Sequence, residues 1–365
     1  MEEELFPKYQ YTKLSFCAAC DSLLSSWNSF CSNDACEMRG IPPKRSRNVR
    51  RTTMHLVQLK PQLELALRQN IDLSLSVHHR IHWGERDELR PETSDFRQYR
   101  EDIERPDDYE RHRLNVVLTL NFDGVKLKKL SRNEAWPVYL RIEGLPSEEK
   151  DKPNNILLPA IMFIAKTPTE HLLRELFFRL KRELAELSDA GLMIRDSTDT
   201  EWRCFPKIMN GVIDFSACKI LYTIPRWNSQ YGCHLCTVSG ERTGRSQSWY
   251  VRFPRRSDRR TPASLFHDAS LRQHGLTCTT QMMDLLTPDR CHPDALHVVS
   301  AGITVDFIRE MTTTSNRIPS LRIPRAAVVA LGKALERTQC HTHASRFILG
   351  LDELSRMTAS EKDEV

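Results

Sequence analysis

Between Cys204 and Asp214 the chain mixes apolar and β-branched residues with one glycine and ends in Val-Ile-Asp, just before small residues suited to opening a helix. This pattern predicts a strand that delivers the Asp214 carboxylate at its end. Nineteen residues later, Cys233-His-Leu-Cys236 has the Cys-x2-Cys spacing with which two thiolates share one tetrahedral zinc. A second acid, Asp123, closes a β-rich run that begins at Leu114 and is followed by Gly124. Paired strand-end carboxylates suit a two-metal phosphoryl-transfer site, in which ions about 3.5–4 Å apart serve the attacking and leaving oxygens. Mg²⁺ prefers such oxygen donors. The competing reading of each acid is a strand-end aspartate that accepts hydrogen bonds from turn amides.

A further cysteine cluster lies near the N-terminus. Cys17, Cys20, Cys31 and Cys36 fall within twenty residues, spaced as a small zinc module whose metal would supply the folding energy that so short a segment lacks. Directly behind it come Lys44, Arg45, Arg47, Arg50 and Arg51, suited to phosphate contact or to serving as a nuclear import signal. A second basic run, with Arg252, Arg255, Arg256, Arg259 and Arg260, follows the Cys233–Cys236 pair as a phosphate-contacting loop. A solvated segment is the alternative for both runs.

These groups need elements to hold them. Residues 114–125, 136–145 and 156–165 read as three successive strands. A helix follows, with Thr167 and Glu170 at capping-box spacing, Pro168 in its first position, and Leu172, Leu173, Leu176, Phe177, Leu180, Leu184 and Leu187 at helical period. The strand ending at Asp214 comes next. This order of strand, strand, strand, helix, strand is that of an α/β, RNase H-like core. Residues 53–70 suggest a helical connector that Pro61 would interrupt or start, and 85–113, dense in Arg, Asp and Glu, suggest an exposed linker. Between them His78, His79 and His82 read as surface histidines, with no cysteine nearby to share a metal. The expected organisation is a four-cysteine zinc module with its basic tail (1–52), a linker (53–113), the core (114–228), a zinc-binding insertion (229–310) and a C-terminal helical segment (311–365).

With 365 residues, 40% hydrophobic and 28% charged, the chain has the composition of a soluble protein with ample core. No apolar run approaches the roughly 18–20 residues of a membrane span. The acidic start, MEEELFPKYQ, lacks the features of a secretory signal, so a reducing compartment is expected and the eleven cysteines read as metal ligands or core thiols. The formal charge of +5 is concentrated in the two basic runs.

Asp123-Gly124-Val125, Ala135-Trp136-Pro137-Val138, Ile213-Asp214-Phe215-Ser216-Ala217, Tyr231-Gly232-Cys233-His234-Leu235-Cys236 and Pro293-Asp294-Ala295-Leu296-His297 occur in that order. Across residues 115–310 this series resembles the transposases of the CACTA (En/Spm) superfamily and their host-gene derivatives. The resemblance implies that Asp123 and Asp214 belong to a DDE triad using Mg²⁺ or Mn²⁺, and that the insertion is pinned by a structural Zn²⁺. The zinc ligands would be Cys233, Cys236, His297 and Asp294, the last as a ligand or as the partner that orients His297; His234, Cys291 and His292 are alternatives. Double-stranded DNA is the implied partner and the nucleus the implied location. No residue matches the family's third acid: Arg346 stands near where a glutamate is expected, and Asp306, Glu310, Glu336, Asp352 and Glu353 remain candidates. Two functions follow, an active DDE-type strand transferase or a catalytically inactive, domesticated zinc-containing DNA-binding protein.

Overall fold

The structure is a computed structural model. It describes residues 11–26, 29–41, 52–83, 99, 106–128, 131–242, 249–250, 258–277, 281–292, 307–308, 311, 320 and 322–336. The chain divides into two compact units, Met1–His292 and Pro293–Val365.

The first unit is a mixed α/β fold built on a ten-stranded sheet. Its centre comes from the segments with the clearest β pattern: β4 (Arg113–Phe122), β6 (Ser131–Ile142) and β7 (Ile156–Ile164) form an antiparallel meander. β9 (Glu201–Val212) then lies parallel to β4 on its other side, and the short β12 (Cys291–His292) lies parallel to β9. β5 (Val125–Lys128) pairs with β6, and β8 (Leu192–Arg195) pairs with β9. Alternation along β4 puts Leu114, Val116, Leu118, Leu120 and Phe122 in the main core and Asn115, Val117, Thr119 and Asn121 on the opposite face.

The helix expected between β7 and β9 runs from Glu170 to Ala190, and all seven of its periodic apolar residues are buried. Its start differs from the expected capping box. Thr169 is the N-cap and makes no side-chain cap bond, because its hydroxyl is donated at 2.8 Å to Asp21 in the cysteine-rich segment. Gly191 ends the helix at φ 71°, a backbone that a side chain would strain.

Residues 11–16, 23–24 and 52–57 also belong to the sheet, so the expected boundary between an N-terminal module (1–52) and a linker (53–113) falls at the start of a strand. β3 (Thr52–Val57) pairs with β7 on one side and with β1 (Tyr11–Phe16) on the other, and β2 (Leu23–Leu24) completes the edge. A 25-residue helix, Leu59–Trp83, follows directly and buries Leu59, Leu63, Ala66, Leu67, Ile71 and Leu75. Numbered in chain order, this is α1 and Glu170–Ala190 is α2. Pro61 lies in the first turn of α1, where a missing N–H breaks no helical bond. His78, expected at the surface, is buried on this helix.

The N-terminus of α1 is capped from another helix. Glu183, from α2, accepts from the Leu59 amide at 2.5 Å and the Lys60 amide at 3.2 Å. Glu183→Ala should therefore lower unfolding stability in urea by about 1 kcal/mol, whereas Glu183→Gln, which keeps an acceptor, should leave it nearly unchanged. Equal losses in the two variants would mean that the amides are not what the side chain serves.

In the second unit, Arg325–Glu336 is helical, and the Ile323 amide donates to the Met311 carbonyl at 2.9 Å.

Candidate functional site

The two sequence-predicted aspartates follow the ends of neighbouring parallel strands. In the β4–β9 ladder Asn121 stands opposite Val212, and each aspartate lies two residues further on in its own chain. A bulge decides which way Asp214 faces. Leu118 pairs with Ile208 but Thr119 pairs with Asn210, so Met209 is an extra residue in β9. Trp202 and Cys204 pack in the main core before the bulge. Without the extra residue the same alternation would turn position 214 toward that core. With it, Asn210 meets Thr119 on the opposite face, and the Thr119 hydroxyl donates to Asn210 Oδ1 at 2.5 Å. Register and alternation then give Asp123 and Asp214 the same face. Met209 itself packs with Val117 and Tyr99 on that side.

Each aspartate also has a local structural task. Asp214 is the N-cap of α3 (Phe215–Tyr222), and its Oδ1 accepts from the Ala217 amide. Asp123 Oδ1 accepts from the Gly124 amide at 2.6 Å. The glycine is required there: a Cβ on Gly124 would stand 2.5 Å from the Trp136 ring, which in turn packs on Phe122 with ring centroids 5.3 Å apart. The Asp-Gly and Trp-Pro pieces of the sequence thus form one packed corner. On the same sheet face, Thr119, Asn121, Tyr139, Arg141 and Val212 help to line a cavity of about 630 Å³. The third-acid candidates Asp306, Glu310, Asp352 and Glu353, and the side chain of Glu336, lie outside the described residues.

The N-terminal cysteines converge as their spacing predicts. The sulfurs of Cys17, Cys20, Cys31 and Cys36 all lie within 4.8 Å of one another, so the cluster could hold a metal ion such as zinc. Cys17 and Cys36 are 3.7 Å apart and Cys20 and Cys31 3.5 Å apart. Tetrahedral Zn–S bonds of about 2.3 Å place sulfurs about 3.8 Å apart, so the donor set fits. The loop is tight: the Asp21 amide donates to the Cys17 carbonyl and the Cys17 amide to the Ser22 carbonyl, both at 2.9 Å. Burial opposes ionisation of Cys20, but donors from Ser22 outweigh it and bring the thiol down to about 6. At Cys36 the Met38 amide favours the thiolate, yet burial and the neighbouring sulfurs push the thiol up to about 12. A cation in the cluster would relieve that crowding of charge. Asp21, buried inside this loop at φ 57°, also pairs with Lys166 at 3.2 Å. Sequence reading passed over it, although an acid between two zinc-type ligands was a signal.

At the second pair, the Cys233 and Cys236 side chains lie within hydrogen-bonding reach of each other, and burial raises the Cys233 thiol. His234 between them is buried and bonded to the Cys291 backbone, with its pKa lowered by desolvation. Asp294 and His297 lie outside the described residues.

Of the basic residues expected to meet DNA, Lys44, Arg45, Arg47, Arg50, Arg51, Arg252, Arg255 and Arg256 lie outside the described residues. Arg259 is exposed. Arg260 corrects the expectation, since it is only 1% exposed and cannot meet phosphate. Its Nε donates to the Cys233 carbonyl at 3.0 Å and the Cys236 carbonyl at 3.2 Å, and Nη2 to the Tyr231 carbonyl at 3.2 Å. Asp268, in the helix Pro262–Leu271 (α4), lies 3.9 Å from Nη1 and also binds His274. The residue is a clasp that shapes the Cys-x2-Cys turn.

No helix among the described residues is long and apolar enough to cross a membrane. Compared with known proteins, the chain matches no protein-family model and no curated protein.

Proposed function

We propose that residues 114–228, joined by β12 from the insertion that follows, form an RNase H-like core of a transposase, or of a protein derived from one, which binds double-stranded DNA in the nucleus. In this reading Asp123 and Asp214 are the first two carboxylates of a DDE-type phosphoryl-transfer site. The reading is supported by the strand order β7-β6-β4-β9-β12 with α2 between β7 and β9, and above all by the Met209 bulge, which gives both acids one face. Two hard oxygen donors at the ends of central strands suit Mg²⁺ or Mn²⁺. When bound, such ions lower the pKa of an attacking water or hydroxyl and offset charge on the leaving oxygen. The aspartates' own part is to hold the ions, and Arg259 adds a phosphate contact from the basic run. Zinc at the four N-terminal cysteines fixes the sheet edge, and a second zinc takes Cys233 and Cys236 as its thiolates, with Asp294 and His297 as its sequence-assigned partners.

A second reading, a DNA-binding protein without catalysis, is favoured by the local bonds of both aspartates, a helix cap at Asp214 and a turn amide at Asp123. Asparagine separates the two. It caps a helix as well as aspartate does, and accepts from a turn amide equally, but it removes the charge that binds a divalent ion. Asp123→Asn and Asp214→Asn should keep the wild-type melting temperature and lose Mg²⁺-dependent nicking of plasmid DNA by about 100-fold or more. Wild-type protein that binds DNA but does not nick it with Mg²⁺ or Mn²⁺ would establish the second reading.

A further inference from the structure

Trp227, in the loop after α3, is the most exposed large apolar side chain among the described residues, at 61%. Its backbone is held in a tight turn. The Ser229 amide donates to the Arg226 carbonyl at 2.8 Å and the Gly232 amide to the Ser229 carbonyl at 3.1 Å. A Cβ at Gly232 would meet the Trp227 and Arg226 carbonyl oxygens at 2.4 and 2.5 Å, so only glycine fits. The indole is therefore presented to solvent by a constrained backbone.

A small hairpin, β10 (Glu241–Arg242) with β11 (Trp249–Tyr250), is joined to the same loop. The Trp249 amide donates to the Asn228 carbonyl at 3.0 Å, next to Trp227, and the Gly240 amide donates to the Gln230 carbonyl at 2.7 Å. In the hairpin the Arg242 guanidinium stands 4.7 Å from the centre of the Trp249 ring. Arg226 and Arg242 are both exposed. Glu241, the acid of this hairpin, neighbours Arg242 along the strand and so points to the opposite face.

We propose that this surface binds single-stranded DNA, with an unpaired base stacked on Trp227 and flanking phosphates met by Arg226 and Arg242. A base has an apolar face that an exposed indole can cover, and its linked phosphates need cations on either side, which is the combination the loop and hairpin supply. The surface deepens the DNA reading above, on which it rests for the class of ligand. It requires no divalent ion, and none of its residues touches Asp123 or Asp214 in the bonds described above.

The test is fluorescence anisotropy of a labelled oligo(dT) and of a duplex of equal length, without added divalent ions. Trp227→Ala should weaken oligo(dT) binding by about 10-fold or more while leaving duplex binding unchanged, and Trp227→Phe should restore most of the loss. Arg242→Gln should make the salt dependence for oligo(dT) shallower by about 0.7 in log–log slope. Wild-type protein that ignores oligo(dT), a Trp227→Ala variant that binds it normally, or equal losses on both DNAs would overturn the proposal. The last pattern would point to a general phosphate surface, and an oligo(dT)-blind Trp227 to an anchor for a protein partner. Asp123→Asn and Asp214→Asn should leave this binding intact, so the failure of stacking and the failure of the metal site are told apart.

Discussion

If Cys17, Cys20, Cys31 and Cys36 hold zinc as proposed, removing it should unfold residues 11–41 and loosen the sheet edge formed by β1 and β2. Beyond β1, whose Phe16 joins the main core, the segment has little else to hold it: the small buried cluster around the cysteines adds only Leu24, with Cys20 and Met38 packed at its margin. Zinc binding to modules of this size is worth on the order of 10 kcal/mol, most of which appears as folding free energy. The effect should reach further than the module. β1 is paired along six residues with β3, and Asp21 is tied to Lys166 and to Thr169, the N-cap of α2. Hydrogen exchange after chelation should therefore rise across 11–41 and also in the first turn of α2. Cys36→Ser should reproduce the pattern and lower the bound zinc. Asp21→Asn should keep the zinc and the order of 11–41, yet still speed exchange at the start of α2. Chelated protein with unchanged exchange over 11–41 would show that packing alone holds the segment.

The central elements were legible because local pattern and burial agree. β4 alternates, and α2 repeats its leucines at helical period, so periodicity alone marks both. β3 was hidden: the first four residues of Thr52–Val57 are all buried, which leaves no alternation to read, and its partner β7 lies about a hundred residues away. Pro61 made α1 look interrupted, although in the first turn it does no harm. The aspartates were visible as residue types at strand ends, but their common face depends on Met209. One extra residue in a strand changes neither composition nor hydropathy in a way that separates it from a neighbour. The cysteine spacing announced the four-thiol cluster, because close pairs of thiols are hard to place otherwise, whereas the exposed Trp227 became visible only through its surroundings.

Arg259 and Arg260 show the same limit at a single step of the chain. They are indistinguishable as members of a basic run, yet one faces solvent and the other is buried among carbonyls contributed 24 to 29 residues earlier. Their neutral variants should behave oppositely. Arg259→Gln should leave unfolding stability within about 0.5 kcal/mol, as an exposed substitution does. If Arg259 contacts duplex phosphate, that variant should also make the log–log salt dependence of binding shallower by about 0.9, because one fewer counterion is released. Arg260→Gln should cost about 3 kcal/mol: it strands the Tyr231, Cys233 and Cys236 carbonyls and leaves buried Asp268 without its guanidinium. Its salt slope, measured where the protein remains folded, should equal that of the wild type. The Cys233–Cys236 turn should also lose hydrogen-exchange protection in Arg260→Gln and keep it in Arg259→Gln. A stable Arg260→Gln protein with a shallower salt slope would return Arg260 to the phosphate-binding surface and remove the clasp.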